Sequence, residues 1–563
     1  MKTYERRQEI LAALREQPEM KIAALAERLG VSPGTIRNDL NFLAKQRQVR
    51  RTRGGATLAN SHSIANPEFA ARANSNASGK RAIARWAADL VKDGDAIFLD
   101  DSTTAFHMVA YLQDRRDLTV VTNGIETAAA AARNPNATVV LLGGIVRPKT
   151  NSVFGKLGED ALDGLHIRTA FVSCSGFSTR AGFTEMDMET AQLKSKVIAI
   201  AQRTVALVES SKFGVVHLSS FAQADQIAQI LTDAQIDAAT IEQIRQTTTL
   251  TVCGDRSTSS YTPVDADTRH YRLGFANLGE NRPFAVAVRQ SLEAAALDAR
   301  HIDLVIGDNQ YNSEVALEVA DALIQSGIDL AIEFHYDEKI GSMLVSKYNR
   351  AGIPVIAVDI PMIGATFFGV DNYRAGWDGG VALGQWIKER WDGHIDRLIV
   401  FERPASGPVP ATRTLSQIEG LESVIGRVPE AKRIYLADEE GSVDAIADLL
   451  ADVLDTLPHT ARVAVICFND PTVEGMLRAA RVTGREKSVV CASLGAGTRT
   501  IRDELRRPDS MIAAAILFPP DEYGRGLVDL AVRILRGERV PPAVYIEHVL
   551  LDSSNISTLH PEP

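Results

Sequence analysis

Five apolar, β-branched runs between residues 96 and 210, AIFLD, LTVVTN, ATVVLLGG, TAFVSCSG and TVALVES, have helical segments between most of them. Strand and helix in alternation build a mainly parallel sheet with covered faces, and in such sheets ligands bind at the carboxyl ends of the strands. The pattern recurs from residue 271 in YRLGFANLG, HIDLVIGD, DLAIEFH, IPVIAVD, RLIVFE, RVAVICFND and SVVCASLG, with helices such as PFAVAVRQSLEAAALD and NSEVALEVADALIQSG between strands. Two α/β domains are therefore expected, at 77–252 and 269–563. A chain of 563 residues has room for them and for a smaller unit at its front. The stretch 59–76 (within ANSHSIANPEFAARANSNASGK) and the Ser-, Thr-, Asp- and Pro-rich stretch 253–268 read as linkers.

Residues 1–58 lack the alternation and carry a different charge. They hold twelve Lys/Arg and six Asp/Glu, a balance of +6 in a chain of net −10, which leaves −16 for everything after. Only this end has an electrostatic reason to approach phosphate. Ile10, Leu11 and Leu14 share one helical face, and Ile22, Leu25 and Leu29 another. Ser32 followed by Pro33 starts a third helix, since the hydroxyl caps free amides and proline at the first position loses no bond. There Ile36, Leu40 and Leu43 face inward, which turns Thr35, Arg37, Asn38 and Asn41 outward as donors to base edges and phosphates. QVRRTRGGATL then forms a basic hairpin whose Arg50, Arg51 and Arg53 reach backbone phosphate. A small protein-interaction module with a solvated basic face is the alternative.

No apolar run is long enough to span a bilayer, and MKTYERRQEI lacks the apolar core of a secretory signal, so a cytoplasmic chain is expected. Cys174, Cys253, Cys467 and Cys491 are too scattered for a disulfide framework or a zinc site. Neither a GxxxxGK[ST] phosphate loop nor a GxSxG elbow occurs, and no catalytic set, cofactor or metal is expected. EFHYDE, Glu333 to Glu338, matches no standard metal spacing and reads as a solvated loop near a cleft mouth.

LAERLGVSPGTIRNDLNFL followed by VRRTRGGA closely resembles the DNA-binding domain of the DeoR family of bacterial repressors, with Asn38 where the family usually has a second arginine. The resemblance implies a winged helix-turn-helix reading a double-stranded DNA operator. KRAIARWAADLV, STT, VVTNG, LLGG, AGFTE and SSKFG resemble that family's sensor domain, whose fold is similar to ribose-5-phosphate isomerase and which takes phosphorylated sugars. This implies effector contacts at Ser102, Thr103, Thr104, Asn123, Gly144, Glu185, Lys194 and Lys212, with departures at Ser102 and Glu209. On the residues alone, Ser102 to Thr104 read equally as an anion cradle or as ordinary helix capping.

From 270 to 548 the order of AGIPVIAVD, FFGVDNYRAG, FNDPTVEGMLRAARVTG and PPDEYGRGLVDLAVRILRGERVP resembles type I periplasmic sugar-binding proteins, the fold the lactose-repressor family uses as its sensor. This implies two doubly wound lobes closing on a sugar-like molecule, held by Asn281, Phe284, Asp359, Arg413, Asn469 and Phe518. Ile360 and Phe518 stand where that family carries polar contacts. The whole reads as a homo-oligomeric regulator, a repressor by family tendency, of carbohydrate genes with two sugar inputs. Two alternatives stay open: a sugar-phosphate isomerase, and a regulator whose last domain only assembles subunits.

Overall fold

A computed structural model describes residues 6–7, 9–10, 13–14, 19–45, 49–52, 55–58, 66–263, 269–404, 407–437 and 441–559. At the front, β1 (Glu19–Lys21), α1 (Ile22–Arg28), α2 (Pro33–Lys45), β2 (Val49–Thr52) and β3 (Gly55–Leu58) form a helical unit with a three-stranded wing in the order β1-β3-β2. Ile10, Leu14, Leu25, Ile36, Leu40 and Leu43 make its core, as their helical spacing requires.

The stretch 59–76 is not a linker throughout. Residues 59–65 lie outside the described set, but α3 (Pro67–Asn74) is a capped helix with Asn66 Oδ1 accepting from Phe69 N at 2.9 Å. Phe69 and Ala73, four apart, bury one face, and Phe69 packs edge-on to Phe106 at 5.3 Å. Two apolar residues in a polar stretch are too few to announce a helix, yet they suffice once a core lies beneath them. The next helix, α4 (Ala77–Ala88), runs back along the same core.

The middle strands are β4 (Ala96–Leu99), β5 (Leu118–Thr122), β6 (Ala137–Leu141), β9 (Ile167–Val172), β12 (Ala201–Leu207), β14 (Gln229–Asp233) and β15 (Leu250–Cys253). Hairpin β7 (Ile145–Arg147) and β8 (Ser152–Phe154), and the small sheet of β10 (Gly176–Ser178), β11 (Gly182–Glu185) and β13 (Ser219–Ala222), stand apart from that sheet. The first lobe of the last domain contributes β17 (Tyr271–Asn277), β18 (Ile302–Asp308), β19 (Leu330–Glu333), β20 (Val355–Val358), β21 (Thr366–Val370) and β27 (Ala543–Ile546). The second lobe is a six-stranded sheet of β22 (Arg397–Glu402), β23 (Arg433–Ala437), β24 (Val463–Ile466), β25 (Val489–Leu494), β26 (Ile512–Leu517) and β28 (Val549–Leu551).

The second expected linker, 253–268, is overturned in its middle: β16 (Ser257–Tyr261) pairs antiparallel with β15 on one side and β18 on the other. Residues 264–268 lie outside the described set. β16 fuses the middle domain and the first lobe into one fourteen-stranded sheet, β27-β21-β20-β19-β17-β18-β16-β15-β14-β12-β9-β4-β5-β6. STSSY lacks an apolar run because two ladders of backbone hydrogen bonds, not side-chain burial, hold it in place. Two of its hydroxyls also find partners, Ser260 Oγ with Thr251 Oγ1 at 2.8 Å and Tyr261 OH with Arg272 at 3.2 Å. Being antiparallel to both neighbours, β16 leaves β15 and β18 parallel, so both α/β units present their strand ends along one edge of a continuous twisted sheet.

In the second lobe, α9 (Asn372–Trp391) and α10 (Pro408–Ile425) pack backbone against backbone through Gly376, Gly380, Gly384 and Gly420. A Cβ on Gly380 would lie 2.1 Å from Gln417 O. Gly380→Ala is expected to cost about 1–3 kcal/mol by overpacking and to displace α10, which carries Arg413. Thermal denaturation checks the first effect and ligand affinity the second.

Candidate functional site

The helix expected to face DNA is α2 (Pro33–Lys45). Ser32 Oγ accepts from Thr35 N at 3.2 Å and meets Thr35 Oγ1 at 2.9 Å, so the cap residue also orients the first outward hydroxyl. Arg37 and Asn41 are exposed on the face opposite Ile36 and Leu40. Asn38 on α2 and Arg50 and Arg51 on β2 have side chains outside the described set, and Arg53 lies outside it altogether. Asp39, unremarked in the sequence, is buried and accepts from Arg6 Nε at 2.6 Å and Arg7 Nε at 2.9 Å, pinning the first helix to α2.

In the middle domain Asp100 follows β4, Ser173 follows β9, Glu185 ends β11, and Lys194 projects from α6 (Met188–Ile200). Lys194 Nζ lies 2.9 Å from Asp100 Oδ2, 2.7 Å from Glu185 Oε1 and 2.8 Å from Ser173 O. Burial opposes its charge, but Asp100, Glu185 and Asp101 outweigh that and hold the ammonium above the ordinary lysine range. Burial raises the Asp101 carboxyl despite Lys194, and pushes the Cys174 thiol up to about 12, so that thiol stays protonated. The lysine is thus balanced by carboxylates rather than presented as a spare cation.

Around this floor, Ser102 Oγ accepts from Ala105 N at 3.1 Å, capping α5 (Thr103–Met108), and Thr103 and Thr104 are buried in its first turn. Asn123, after β5, is buried with Oδ1 unpartnered among the described residues. Gly144 adopts φ +137°, and a Cβ there would fall 2.2 Å from Phe154 O, so only glycine fits this close approach. Lys212, on the turn Ser210–Lys212, is half-buried and acts electrostatically on Lys80 and Cys174. Lys80, whose Nζ donates to Arg72 O and Ser75 O at 2.6 Å each and lies 3.5 Å from Glu209, ties α3 to this site. Nothing in its sequence neighbourhood signalled that role.

In the last domain Phe284, Asp359, Arg413 and Phe518 come together between the lobes. Asp359, after β20, sits at φ +59° and accepts from Tyr523 OH at 2.8 Å. Burial pushes its carboxyl up to about 6, against the pull of Tyr523 and Arg413. Arg413 donates to Asn372 Oδ1 at 2.8 and 2.6 Å, and its guanidinium lies 4.9 Å from the Phe468 ring and 5.5 Å from Phe518. Phe284 packs edge-on to Tyr523 at 5.5 Å. Asn469 caps α11 (Asp470–Val482), so its Oδ1 is engaged by Thr472 N at 3.2 Å and Thr472 Oγ1 at 2.9 Å. Asn281 is exposed on the loop before α8 (Pro283–Ala299).

Tyr523, Asn372 and Phe468 complete this cluster and had no distinguishing sequence signal. At the mouth the lobes meet: Arg282 donates to Gly441 O at 3.1 Å and stands 4.0 Å from the Tyr311 ring, while Arg403 donates to Tyr311 OH. EFHYDE is not a solvated loop. Glu333 and His335 are fully buried, Glu333 accepting from Asn309 Nδ2 at 3.0 Å and Tyr348 OH at 3.1 Å. Burial pushes the carboxyl up to about 8 and the imidazole down to about 4, so both are neutral at pH 7 and tolerate the interior. Among the described residues no helix is long and apolar enough to cross a membrane.

Comparison with known proteins agrees with this layout. Residues 6–62 match a DeoR-like helix-turn-helix domain, 75–234 a DeoR C terminal sensor domain and 273–539 a periplasmic binding protein domain. An uncharacterized HTH-type transcriptional regulator of Bacillus subtilis, YulB, is 34% identical over 43% of this chain and 94% of its own length. The HTH-type transcriptional regulator GolR of Listeria innocua is 34% identical over 42% of this chain and 92% of its own. An ABC transporter solute binding protein of Mycobacterium smegmatis, solved with bound glycerol, aligns over 52% of this chain and 96% of its own, at 23% identity and a TM-score of 0.45. The chain belongs to the DeoR family of helix-turn-helix transcriptional regulators, with a periplasmic binding protein domain added behind the family's sensor.

Proposed function

We propose that this regulator holds a carbohydrate operator through α2 and the wing and is controlled by two sugars of different chemistry, a phosphorylated one in the middle domain and an uncharged one between the lobes. The observation that carries the reading is the floor of the middle site. Asp100 and Glu185 are taken up by Lys194, Ser102, Ser173 and Ser175, so the cation left to meet a phosphate is Lys212, half-buried on a separate turn. Between the lobes Asp359 and Arg413 offset one another beneath aromatic walls, which suits C–H faces and a few hydroxyls. Control rather than catalysis is favoured because Lys194 is held charged by its neighbours and cannot serve as a base near neutral pH.

Calorimetry on the full chain carrying Asp359→Ala, titrated with pentose and hexose phosphates and with the free sugars, checks the middle site. At least tenfold preference for a phosphate ester is expected, lost in Lys212→Ala. Equal affinities, or conversion of ribose 5-phosphate to a ketose, would overturn the reading. At the DNA end, Arg37→Ala is expected to weaken binding and relax base preference, whereas Arg51→Ala weakens all sequences alike and lowers the salt slope by about 0.9. Fluorescence anisotropy at several salt concentrations distinguishes them.

A further inference from the structure

The middle domain ends in an open edge. β6, reading ATVVL, is the last strand of the fourteen-stranded sheet and contains no lysine, proline or glycine to discourage pairing. Beside it lies a concentration of exposed apolar side chains: Leu141, Ile145, Val146, Leu157, Met186 and Met188 are 44–74% exposed. Three contacts join them into one surface. A Cβ on Gly143, two residues after Leu141, would lie 3.2 Å from Leu157 Cδ2. Arg147, following Ile145 and Val146, pairs with Asp187 at 3.0 Å and with Glu189, the acids flanking Met188. Glu185 pairs with Ser219 across β11 and β13, which brings Leu218 beside Met186.

We infer that this surface, with the β6 edge, is where a second copy of the chain docks across a twofold axis. An edge strand laid antiparallel against its own copy is self-complementary by symmetry, which no heterologous partner obtains without matching it. With Leu218, 77% exposed, seven large apolar residues share the patch, and a contiguous exposed apolar surface of this kind marks an interaction site. Its cations do not oppose a second copy, since Arg147 and Lys156 are paired with acids of the same surface, Lys156 with Asp160 at 2.7 Å. Pairing also presents two recognition helices to two half-sites.

The interface adjoins the effector loops. Val153 N on β8 donates to Asn123 O at 2.8 Å, and Ile145 on β7 directly follows Gly144. A ligand contacting Asn123 or Gly144 therefore acts on the hairpin that forms the interface, a consequence that rests on the effector assignment proposed above. The docking itself does not.

The test is the mass of the full chain in solution without DNA or sugar, by light scattering on a sizing column. A mass of at least twice the 61.0 kDa of one chain is expected. Ile145→Glu combined with Leu157→Glu should return it to one half or less, with unchanged circular dichroism, while Leu449→Glu on the second lobe leaves it unchanged. Oxidation of Ile145→Cys should trap a covalent dimer, and oxidation of Leu449→Cys should not. A monomeric parent, an unaltered mass in the double variant, or no cross-link at position 145 would overturn the proposal. Absence of operator binding would instead bear only on the regulatory reading, because no DNA is present here.

Discussion

Arg289→Met is expected to lower the stability of the whole sensor block by about 3–5 kcal/mol, the usual cost of removing one partner of a buried ionic network. Arg289, on α8, is completely buried and lies 2.7 Å from Asp89, 3.0 Å from Glu280 and 2.7 Å from Glu293, with Trp86 4.8 Å beneath its guanidinium. Asp89 and Trp86 belong to the middle domain, and Glu280 to the loop at the ligand mouth. The substitution would strand three carboxylates at the junction of two sensors. A second lock, Arg245 with Asp303 at 3.0 Å, lies on the other flank of β16 and is not expected to compensate. Thermal melting of the full chain checks this.

The loss should be larger at pH 8 than at pH 5. Burial pushes the Glu293 carboxyl up to about 7 even with Arg289 present. The folded chain therefore keeps a proton that the unfolded chain releases near pH 4.5, and stability from this group falls as pH rises between those values. Without Arg289 that decline steepens, and Glu293→Gln in the same chain should recover part of it. Equal losses at both pH values would mean that the network is not electrostatic.

The second large effect is expected at Lys194→Met. It removes the cation that, among the described residues, pairs with Asp100 and Glu185 and acts on Asp101, all buried. A cost of about 3–5 kcal/mol in the middle domain is expected, with loss of effector binding, whereas Lys212→Ala should leave stability within roughly 0.5 kcal/mol because its side chain is half-exposed. Denaturant melts of the two variants beside calorimetry separate a structural role from a ligand contact. Similar melts for both would contradict the arrangement.

What the sequence revealed followed burial. Strands such as AIFLD and RLIVFE announce themselves because both faces are covered, and the α2 pattern of Ile36, Leu40 and Leu43 dictates which residues turn outward. What it concealed was held by backbone or by distant charge. STSSY pairs through its main chain, so nothing in its side chains marks the strand that joins two domains. Arg289 sits in an amphipathic helix and reads as a surface residue, since its partner Asp89 is 200 positions away. The sequence marks Lys194 only as an effector contact, because the two carboxylates that occupy it come from a strand end and a separate small sheet. Glu333 and His335 read as solvated because EFHYDE matches no metal spacing, whereas the fold buries both and burial keeps them neutral.

One sheet joins the two α/β domains that follow the DNA-binding unit, and on the function proposed above both ligands act on one equilibrium. The direct measurement is the affinity of the full chain for the DNA flanking its own gene, by anisotropy, with neither ligand, a sugar phosphate, a free sugar, and both. Each ligand alone is expected to shift affinity by roughly 5- to 150-fold, with Asp359→Ala abolishing the free-sugar shift and sparing the other, and Arg289→Met reducing the free-sugar shift. An operator affinity indifferent to both ligands under every condition, or a chain that does not prefer that DNA over an unrelated sequence, contradicts it.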